Sequence, residues 1–178
     1  MKIFIENTND KVPFYANETD AGMDICANED VVIAPGETRI VKTGIKVAIP
    51  EGYEIQIRPR SGISCKTKLT IANAPGTIDA GYRGEIGVIM TNNSRDYEWL
   101  NDTPVKFPSE KEYGISGNPL FYEGEFADDK HGYYIIKKGD RIAQMVLAKF
   151  EKVEFEAVDD VSAIGTNRGG GFGSTGTV

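Results

Sequence analysis

The chain is short of the side chains that most metal sites and nucleophilic triads use. Its 178 residues include one histidine, His131, one tryptophan and two cysteines. A catalytic triad or zinc site built on histidine is therefore nearly excluded. The cysteines, Cys26 and Cys65, are not at metal-ligand spacing. We expect both to be buried thiols in a reducing compartment, with a disulfide as the alternative.

The sequence also lacks long hydrophobic runs and an excess of positive charge. No apolar stretch reaches membrane-spanning length, and the start MKIFIENTND does not have the basic-then-apolar order of a signal peptide. The net charge of −7 argues against an anionic membrane surface or a nucleic acid as partner, although a few local arginines can hold a small anion. These absences predict a cytoplasmic protein that binds neither membrane nor nucleic acid.

Alternation of apolar and polar residues is the strongest pattern that is present. Apolar side chains occupy every second position in residues 45–49, 53–57 and 86–90. Such alternation indicates strands with one buried face. Turn signals such as Pro35-Gly36 separate the strands. Together with one short helix at about 61–68, the pattern predicts a single all-β domain, either a barrel or a sandwich.

One long segment, residues 95–134, departs from this rhythm. It is polar, rich in Glu, Asp, Gly and Tyr, and contains the only Trp and the only His. Because it is far longer than an ordinary connection between strands, we interpret it as a surface insertion. Within it we expect a helix near 96–100 and an additional hairpin near 120–136.

Two short polar stretches in the first half of the chain can carry chemistry. AGMDICA, residues 21–27, places Asp24 among small and apolar residues. Asp24 is either a functional carboxylate or a turn residue bonded to the backbone. In RPRSGIS, residues 58–64, Ser61 lies at a helix start, where it either helps to bind phosphate or simply caps the helix.

Two further polar stretches follow. NAPGTIDAGYRGEIG, residues 73–87, predicts a β-hairpin with Asp79 near its tip. A hairpin can present backbone groups to a flat base, and Asp79 is placed to activate a water; the alternative is a turn aspartate. In KGDRIAQMVL, residues 138–147, Arg141 and Gln144 lie among apolar residues, and the alternative there is two structural side chains. None of these stretches is decisive alone.

Together with the C-terminal RGGGFGSTG, residues 168–176, these stretches resemble, in order, the five motifs of the homotrimeric dUTPase family. The resemblance extends from about residue 21 to the C terminus and excludes the insertion. It implies a jelly-roll-like β-barrel of residues 1–165, with the insertion at about 95–134 and a flexible lid at 166–178. It also implies a homotrimer with shared active sites that hydrolyses dUTP to dUMP and pyrophosphate with Mg²⁺.

The resemblance implies a role for each matching residue. Asp79 matches the carboxylate that activates the water attacking the α-phosphorus, and Tyr82 matches the ring that leaves no room for a ribose 2′-hydroxyl. Asp24 matches an acidic residue that holds waters of the Mg²⁺ shell, and Arg141 is expected to pair a carboxylate near the site. Further substrate contacts are implied for Arg60, Ser61, Gly62, Asn73, Gly76, Ile78 and Gln144.

The tail has implied contacts of its own. Phe172 would lie over uracil and Arg168 would reach the γ-phosphate. Gly173, Ser174 and Thr175 would grip the phosphates, because glycines let the backbone approach a ligand closely. The family usually has five positions from this arginine to the aromatic residue, whereas this chain has four. The shorter spacing makes stacking of Phe172 the better supported of the two contacts.

The insertion is a second departure from the family pattern. Similar insertions mark dUTPases of some bacteriophages of Gram-positive hosts, where they are linked to binding a repressor protein. Aromatic residues can anchor such an interface, and those available are Trp99, Tyr113, Phe121, Tyr122, Tyr133 and Tyr134. The alternative is that the insertion packs on its own subunit. A dCTP deaminase of the same fold, which needs a general-base glutamate, is the alternative activity.

Overall fold

The computed structural model describes residues 1–94, 97–100, 103–106, 112–116, 132–167 and 169. For 97–100, 103–106 and 112–113 it describes the backbone alone. Within these residues the strands, in chain order, are β1 (Phe4–Asn7), β2 (Met23–Cys26), β3 (Val31–Ile33), β4 (Thr38–Lys42), β5 (Ile45–Ala48), β6 (Tyr53–Arg58), β7 (Leu69–Ile71), β8 (Gly76–Ile78), β9 (Gly87–Asn92), β10 (Tyr97–Leu100), β11 (Thr103–Lys106), β12 (Glu112–Gly114), β13 (Tyr133–Ile136) and β14 (Arg141–Lys149). The helices are α1 (Ser61–Lys66) and a 3-10 turn (Val161–Ala163).

The strands form small, mostly antiparallel sheets around one core. The largest described sheet has the order β2–β14–β6–β8, and a second has the order β4–β9–β7. A third has the order β12–β13–β3, in which β12 and β13 are parallel. Strand β1 pairs with β5, and β10 pairs with β11. The architecture of the described residues is therefore all-β with one short α-helix, as the sequence predicts.

The segments of alternating residues supply much of this core. Every alternating apolar residue except the half-buried Tyr53 buries its side chain, because successive residues of a strand point to opposite faces. Full burial of one such side chain contributes about 1.5–3 kcal/mol. The buried members are Ile45, Val47, Ile49, Ile55, Ile57, Ile86, Val88 and Met90. The prediction of half-buried strands is confirmed.

The predicted helix is present but shorter than expected. It ends at Lys66 because Thr67 adopts an extended conformation, with φ −135° and ψ 174°. The backbone N–H and the hydroxyl of Thr67 both donate to the carbonyl of Ile63, which closes the last turn. The N-cap residue is Arg60, and no side chain caps the helix. The interpretation of Ser61 as a side-chain cap is therefore wrong.

The predicted hairpin over residues 73–87 is also wrong. Strand β8 pairs with β6, whereas β9 pairs with β4 and β7 in another sheet. Between them the chain crosses from one sheet to the other, and the N–H of the fully buried Ile86 donates to the carbonyl of Ile45 at 2.8 Å. Alternation identifies strands, but it does not say which strands pair.

Two expectations for the insertion are corrected. The predicted helix near 96–100 is instead strand β10, which pairs with β11 in a separate two-stranded sheet. Tyr134 is fully buried in the core, and its hydroxyl accepts the N–H of Lys68 at 2.9 Å, so Tyr134 cannot anchor a partner. Of the predicted hairpin near 120–136, only β13 is described, and it lies between β12 and β3.

The cysteines are a further partial correction. Cys26 is buried as expected, and burial raises the pKa of its thiol. Cys65 is exposed, because it lies on the outer face of α1. No helix among the described residues has the length and apolar content needed to cross a membrane.

The chain leaves the core after β14 as an extended arm, defined here as residues 151–167. Every residue of this arm is exposed. Exposure reaches 94% for Phe155, 70% for Val153 and 74% for Val161. Large apolar side chains this exposed are typical of surfaces that contact another protein.

Candidate active site

Four of the five motif stretches meet on the largest sheet. The first contains β2, the fourth contains most of β14, the second begins at the last residue of β6, and the third contains β8; the sheet order is β2–β14–β6–β8. Gln144 of β14 lies opposite both Asp24 of β2 and Arg58 of β6. The sheet therefore places Gln144 beside residues that are 120 and 86 positions away in the chain.

Asp24 lies at the centre of the first group of site residues. Its side chain is 4% exposed. Atom Oδ1 accepts the Nε–H of Arg60 at 2.9 Å, and Oδ2 accepts an Nη1–H of Arg141 at 3.0 Å. A buried carboxylate needs such compensation, because an unpaired charge in the interior is very costly. The alternative of a turn aspartate is wrong, and the expected pairing of Arg141 with a carboxylate is confirmed.

Local backbone features aim the two arginines at Asp24. Arg60 follows Pro59 and precedes α1, and its Nη1 also donates to the carbonyl of Arg141 at 3.3 Å. The pairing of β14 with β2 shifts register between Arg141 and Ala143. Such a bulge re-aims a side chain at the end of a strand. The result joins β2, α1 and β14 at one point.

The start of α1 offers a surface for an anion next to this ion pair. Ser61 and Gly62 are exposed, and a methyl group built on Gly62 would meet nothing within 4 Å. The N–H groups of these two residues have no acceptor within the helix, because they belong to its first turn. Gln144 is half-buried and lies against Gly22. A Cβ built on Gly22 would lie 3.4 Å from the Cβ of Gln144.

Asp79 belongs to a second group of site residues, around β8. It is exposed and directly follows Ile78, the last residue of the strand. The N–H of Tyr82 donates to the carbonyl of Asp79 at 3.0 Å, so Asp79 does begin a turn. The turn holds its backbone and leaves its carboxylate facing solvent.

Strand β8 is an edge strand of the largest sheet. It pairs with β6 on one side, so its other edge keeps backbone donors and acceptors available among the described residues. Asn73 lies over the start of the strand, with Nδ2 3.1 Å from where a Cβ of Gly76 would stand. An open edge with an amide beside it is suited to read the hydrogen-bonding face of a flat base.

Tyr82 is held in a defined orientation beside this edge. Its hydroxyl donates to the carbonyl of Glu85 at 2.8 Å, and the side chain remains 43% exposed. A Cβ on Gly84 would lie 2.5 Å from the hydroxyl oxygen and 2.7 Å from Cζ. The ring therefore packs directly over Gly84, and only glycine permits this position.

One subunit does not bring the two groups together. Ile78 lies opposite Ile55 of β6, and the antiparallel pairing carries Asp79 away from Arg58, where the chain continues to Ser61. The three residues from Ile55 to Arg58 alone span about 10 Å of strand. Asp79 and Ser61 therefore lie toward opposite ends of β6.

The predicted tail contacts of Arg168, Phe172, Gly173, Ser174 and Thr175 lie outside the described residues. Among the described residues, no three His, Cys, Asp or Glu side chains form a group that could hold a metal ion.

Sequence reasoning missed two cations near the site, Lys11 and Lys66, which line a cleft with Arg60 and Arg141. Their proximity arises only from tertiary contacts.

Comparison with known proteins agrees with this geometry. The dUTPase family model matches residues 8–98 and 130–176. A deoxyuridine 5'-triphosphate nucleotidohydrolase of Solibacter usitatus is 39% identical over 180 residues, covering 99% of this chain and 97% of the relative. The chain therefore belongs to the dUTPase family.

Solved phage enzymes show the same fold. The dUTPase of Staphylococcus bacteriophage 80alpha with bound dUpNHpp is 33% identical, with a TM-score of 0.79 and coverage of 98% of both chains. The dUTPase of phage phi11 of S. aureus, which carries a species-specific insert, is 30% identical, with a TM-score of 0.75 and coverage of 92% of this chain and 99% of its own. These similarities confirm the jelly-roll-like fold class.

Proposed function

We propose that this protein hydrolyses dUTP to dUMP and pyrophosphate. Family membership supports the activity, and one observation carries the assignment of its base: Asp79 presents an exposed carboxylate at the end of the open edge strand β8. Asp79 takes a proton from a water whose oxygen attacks the α-phosphorus. The bond from that phosphorus to the bridging oxygen breaks, and pyrophosphate leaves with the bond's electron pair.

Uracil and deoxyribose are read by the second group of residues. The open edge of β8, from Gly76 to Ile78, and the amide of Asn73 pair with the polar face of uracil. The ring of Tyr82 packs against the deoxyribose, where an added 2′-hydroxyl would clash with it. The fixed position of Tyr82 over Gly84 supports this role, because a steric wall must be rigid to discriminate.

The phosphates are held by the first group. Ser61 and Gly62 donate from the start of α1, with Arg60 beside them and Gln144 across the sheet. The tail adds Phe172 on uracil, Arg168 toward the γ-phosphate, and Gly173, Ser174 and Thr175 on the phosphates. Closing a site over its substrate expels water and completes the set of contacts.

Mg²⁺ is proposed to arrive bound to the triphosphate of dUTP. Such an ion keeps several of its waters and needs few protein ligands. Bound there, it neutralises phosphate charge and orients the phosphates. A variant of the phi11 enzyme coordinates a structural Mg(II) ion. Asp24 is poorly suited to bind a water of the Mg²⁺ shell, because both of its carboxylate oxygens already accept hydrogen bonds from guanidinium groups.

A homotrimer with shared sites would bring the two groups of residues together. Two observations support it: Asp79 and Ser61 lie toward opposite ends of β6 in one subunit, and the arm is exposed throughout. An apolar groove of about 280 Å³ beside β1, lined in part by Ile5 and Val47, offers such an arm a surface. The expected compartment is the cytoplasm, where nucleotides such as dUTP are found.

The proposal is tested by product formation from different nucleotides. Pyrophosphate release is measured with dUTP, UTP, dTTP and dCTP, with and without Mg²⁺. Release from dUTP alone supports the proposal, whereas ammonia from dCTP would identify the deaminase. Among the described residues near the site, the carboxylate of Glu85 accepts the N–H of Gly44 at 2.8 Å, which makes Glu85 a poor general base for deamination.

A second function, binding of a repressor-type protein through the 95–134 insertion, is favoured by one observation. Strands β10 and β11 pair only with each other among the described strands, so this hairpin shares no strand pairing with the other described sheets. Phage 80alpha dUTPases are described as controlling transfer of virulence genes. Replacing residues 97–106 with a short Gly-Ser linker leaves β12 and β13 in place; equal partner recovery with and without the hairpin would refute this function.

A further inference from the structure

The turn between β8 and β9 carries two residues of the proposed reaction, Asp79 and Tyr82, which are held in different ways. Asp79 directly follows Ile78, so the pairing of β8 with β6 fixes its backbone. Tyr82 lies in the middle of the turn, and its ring is oriented by a hydrogen bond from its hydroxyl to the carbonyl of Glu85 at 2.8 Å. Whatever holds the backbone of Glu85 therefore also holds the Tyr82 ring.

The side chain of Glu85 ties this turn to a neighbouring loop. Glu85 is half-buried, and its Oε1 accepts the N–H of Gly44 at 2.8 Å. Gly44 is buried between β4 and β5. A buried N–H group without an acceptor is costly, so the contact is strongly favoured. The hydrogen bonds of the Arg83 side chain, by contrast, stay inside the turn, on the carbonyls of Ala80 and Tyr82.

The loop that donates to Glu85 is itself held in place. Gly44 has a φ of 70°, which favours glycine, and a Cβ on it would lie 2.8 Å from Thr8 Oγ1. Its carbonyl accepts the N–H of Thr8 at 2.8 Å, and Asn9 Nδ2 donates to the carbonyl of Thr43 at 3.1 Å. The N-terminal segment therefore fixes the position at which Gly44 meets the carboxylate.

The residue after Glu85 is bonded to the same loop. The N–H of Ile86 donates to the carbonyl of Ile45 at 2.8 Å, and the hydroxyl of Thr43 donates to the carbonyl of Ile86 at 2.6 Å. Thr43 and Ile86 are fully buried, whereas Glu85 is not. The contact of Glu85 with Gly44 is therefore the link between turn and loop that a substitution can remove without disturbing the core.

We propose that Glu85 is a positioning residue that maintains the preference for dUTP over UTP. It acts through its own backbone: the contact with Gly44 fixes Glu85, and the Glu85 carbonyl then fixes the hydroxyl of Tyr82. A steric barrier discriminates only while it cannot yield, so a loosened ring would admit a ribose 2′-hydroxyl. The inference rests on the proposed function, because it specifies what holds the sugar barrier of that reaction.

The ratio of kcat/KM for dUTP to that for UTP tests the proposal, with variants that separate reach from charge. Glu85→Ala removes the contact, Glu85→Asp keeps the charge on a side chain too short for Gly44, and Glu85→Gln keeps an oxygen acceptor without the charge. The matched control is Glu37→Ala, because Glu37 is also half-buried and its carboxylate also accepts a backbone N–H at 2.8 Å, that of Ala34. Thermal unfolding checks that each variant is folded.

We expect Glu85→Ala and Glu85→Asp to lower the ratio about tenfold, mainly by raising kcat/KM for UTP. The kcat for dUTP should change less than about threefold, because β8 holds Asp79 independently of Glu85. Glu85→Gln and Glu37→Ala should keep the ratio. In a Tyr82→Ala background, Glu85→Ala should not lower the ratio further, since it acts through the missing ring. A loss of folded protein would lower both rates equally and leave the ratio unchanged.

Three results would overturn the proposal. One is an unchanged ratio in Glu85→Ala and Glu85→Asp, and another is an equal loss in Glu85→Gln. The third is a full additional loss when Glu85→Ala is combined with Tyr82→Ala. Turnover of dUTP by the unaltered protein is measured first. Its absence would refute the proposed function, whereas turnover with an unchanged ratio in the variants would refute only the role of Glu85.

Discussion

Asp24 and Arg141, 117 positions apart in the chain, form an ion pair with a distance of 3.0 Å between Oδ2 and Nη1. The carboxylate is 4% exposed, whereas the arginine side chain is 46% exposed. Arg60 completes the pair on the other carboxylate oxygen. The arrangement joins the first, second and fourth motif stretches before any substrate binds, and it explains why an acidic residue stands in the apolar strand β2.

Asp24→Asn is expected to destabilise the fold by about 3 kcal/mol, because it leaves two guanidinium groups without their buried counter-charge. Urea unfolding measures the change. The matched control is Asp30→Asn, which breaks an exposed pair with Lys137 and should destabilise the fold far less. Equal losses in the two variants would show that burial of Asp24 carries no special weight.

Asp79→Asn is expected to lower kcat for dUTP by about 100- to 10,000-fold, the usual contribution of a general base. Binding of dUpNHpp should be nearly unchanged, since the amide replaces the base but not the uracil or phosphate contacts. Steady-state kinetics and calorimetry measure the two effects. A kcat close to that of the unaltered protein would remove Asp79 from the proposed role.

Gly84→Ala is expected to displace the Tyr82 ring, because the new methyl group would lie 2.5 Å from the tyrosine hydroxyl. We expect the preference for dUTP over UTP, measured as a ratio of kcat/KM values, to fall about tenfold. Gly81→Ala in the same turn is the control, since a methyl group there meets nothing within 4 Å. If both variants keep full discrimination, Tyr82 is not the ribose barrier.

Deletion of residues 168–178 is expected to leave a folded protein of unchanged assembly with very little activity. The core and the arm end before this segment. Thermal unfolding and size-exclusion chromatography check the fold and assembly, and turnover of dUTP checks the loss. Phe172→Ala should cause a smaller loss than the deletion. Full activity in the truncated protein would contradict a role for the tail.

Glu37 is expected to stabilise the fold in a pH-dependent way. Its carboxylate accepts the N–H of Ala34 and pairs with Arg39, and these contacts hold the pKa of Glu37 below its ordinary value of 4.5. A carboxyl with a lowered folded-state pKa stabilises the protein above its unfolded pKa. That contribution is lost as the pH falls below 4.5 and through the lower, folded-state pKa.

Urea unfolding at pH 7 and at about pH 3 measures this contribution as the difference between the unaltered protein and Glu37→Gln. The difference should be present at pH 7 and should shrink at low pH, because the glutamine cannot ionise. A difference that stays constant across this range would mean that the ionised carboxylate is not its source.

The strands and the motif residues were accessible from sequence to different degrees. Alternation identified the buried faces around Ile55 and Val88 because a strand has a period of two whatever its partner. The same pattern could not show that β8 pairs with β6, and the hairpin prediction failed for that reason. In the insertion, the segment expected to be helical is β10, because pairing with β11 decides its conformation.

The candidate site could likewise be predicted from the sequence only in part. The sequence alone identified the types and order of its residues, from Asp24 through Asp79 to Gln144, and these were sufficient to indicate the family. The sequence could not predict the partners of Asp24, the burial of Tyr134 or the cleft that Lys11 and Lys66 share. Each of these brings together residues from distant parts of the chain.

By itself, the sequence determined many local properties of this protein: the strands whose apolar residues alternate, the turns between them, and the polar residues that interrupt them. These follow from side-chain periodicity and backbone preferences that act over a few residues. Only the tertiary structure decided which strands are neighbours, that Asp24 is held between two arginines, and that Asp79 and Ser61 lie toward opposite ends of β6. Long-range packing and charge compensation set those relationships, and neither leaves a periodic signal in the chain.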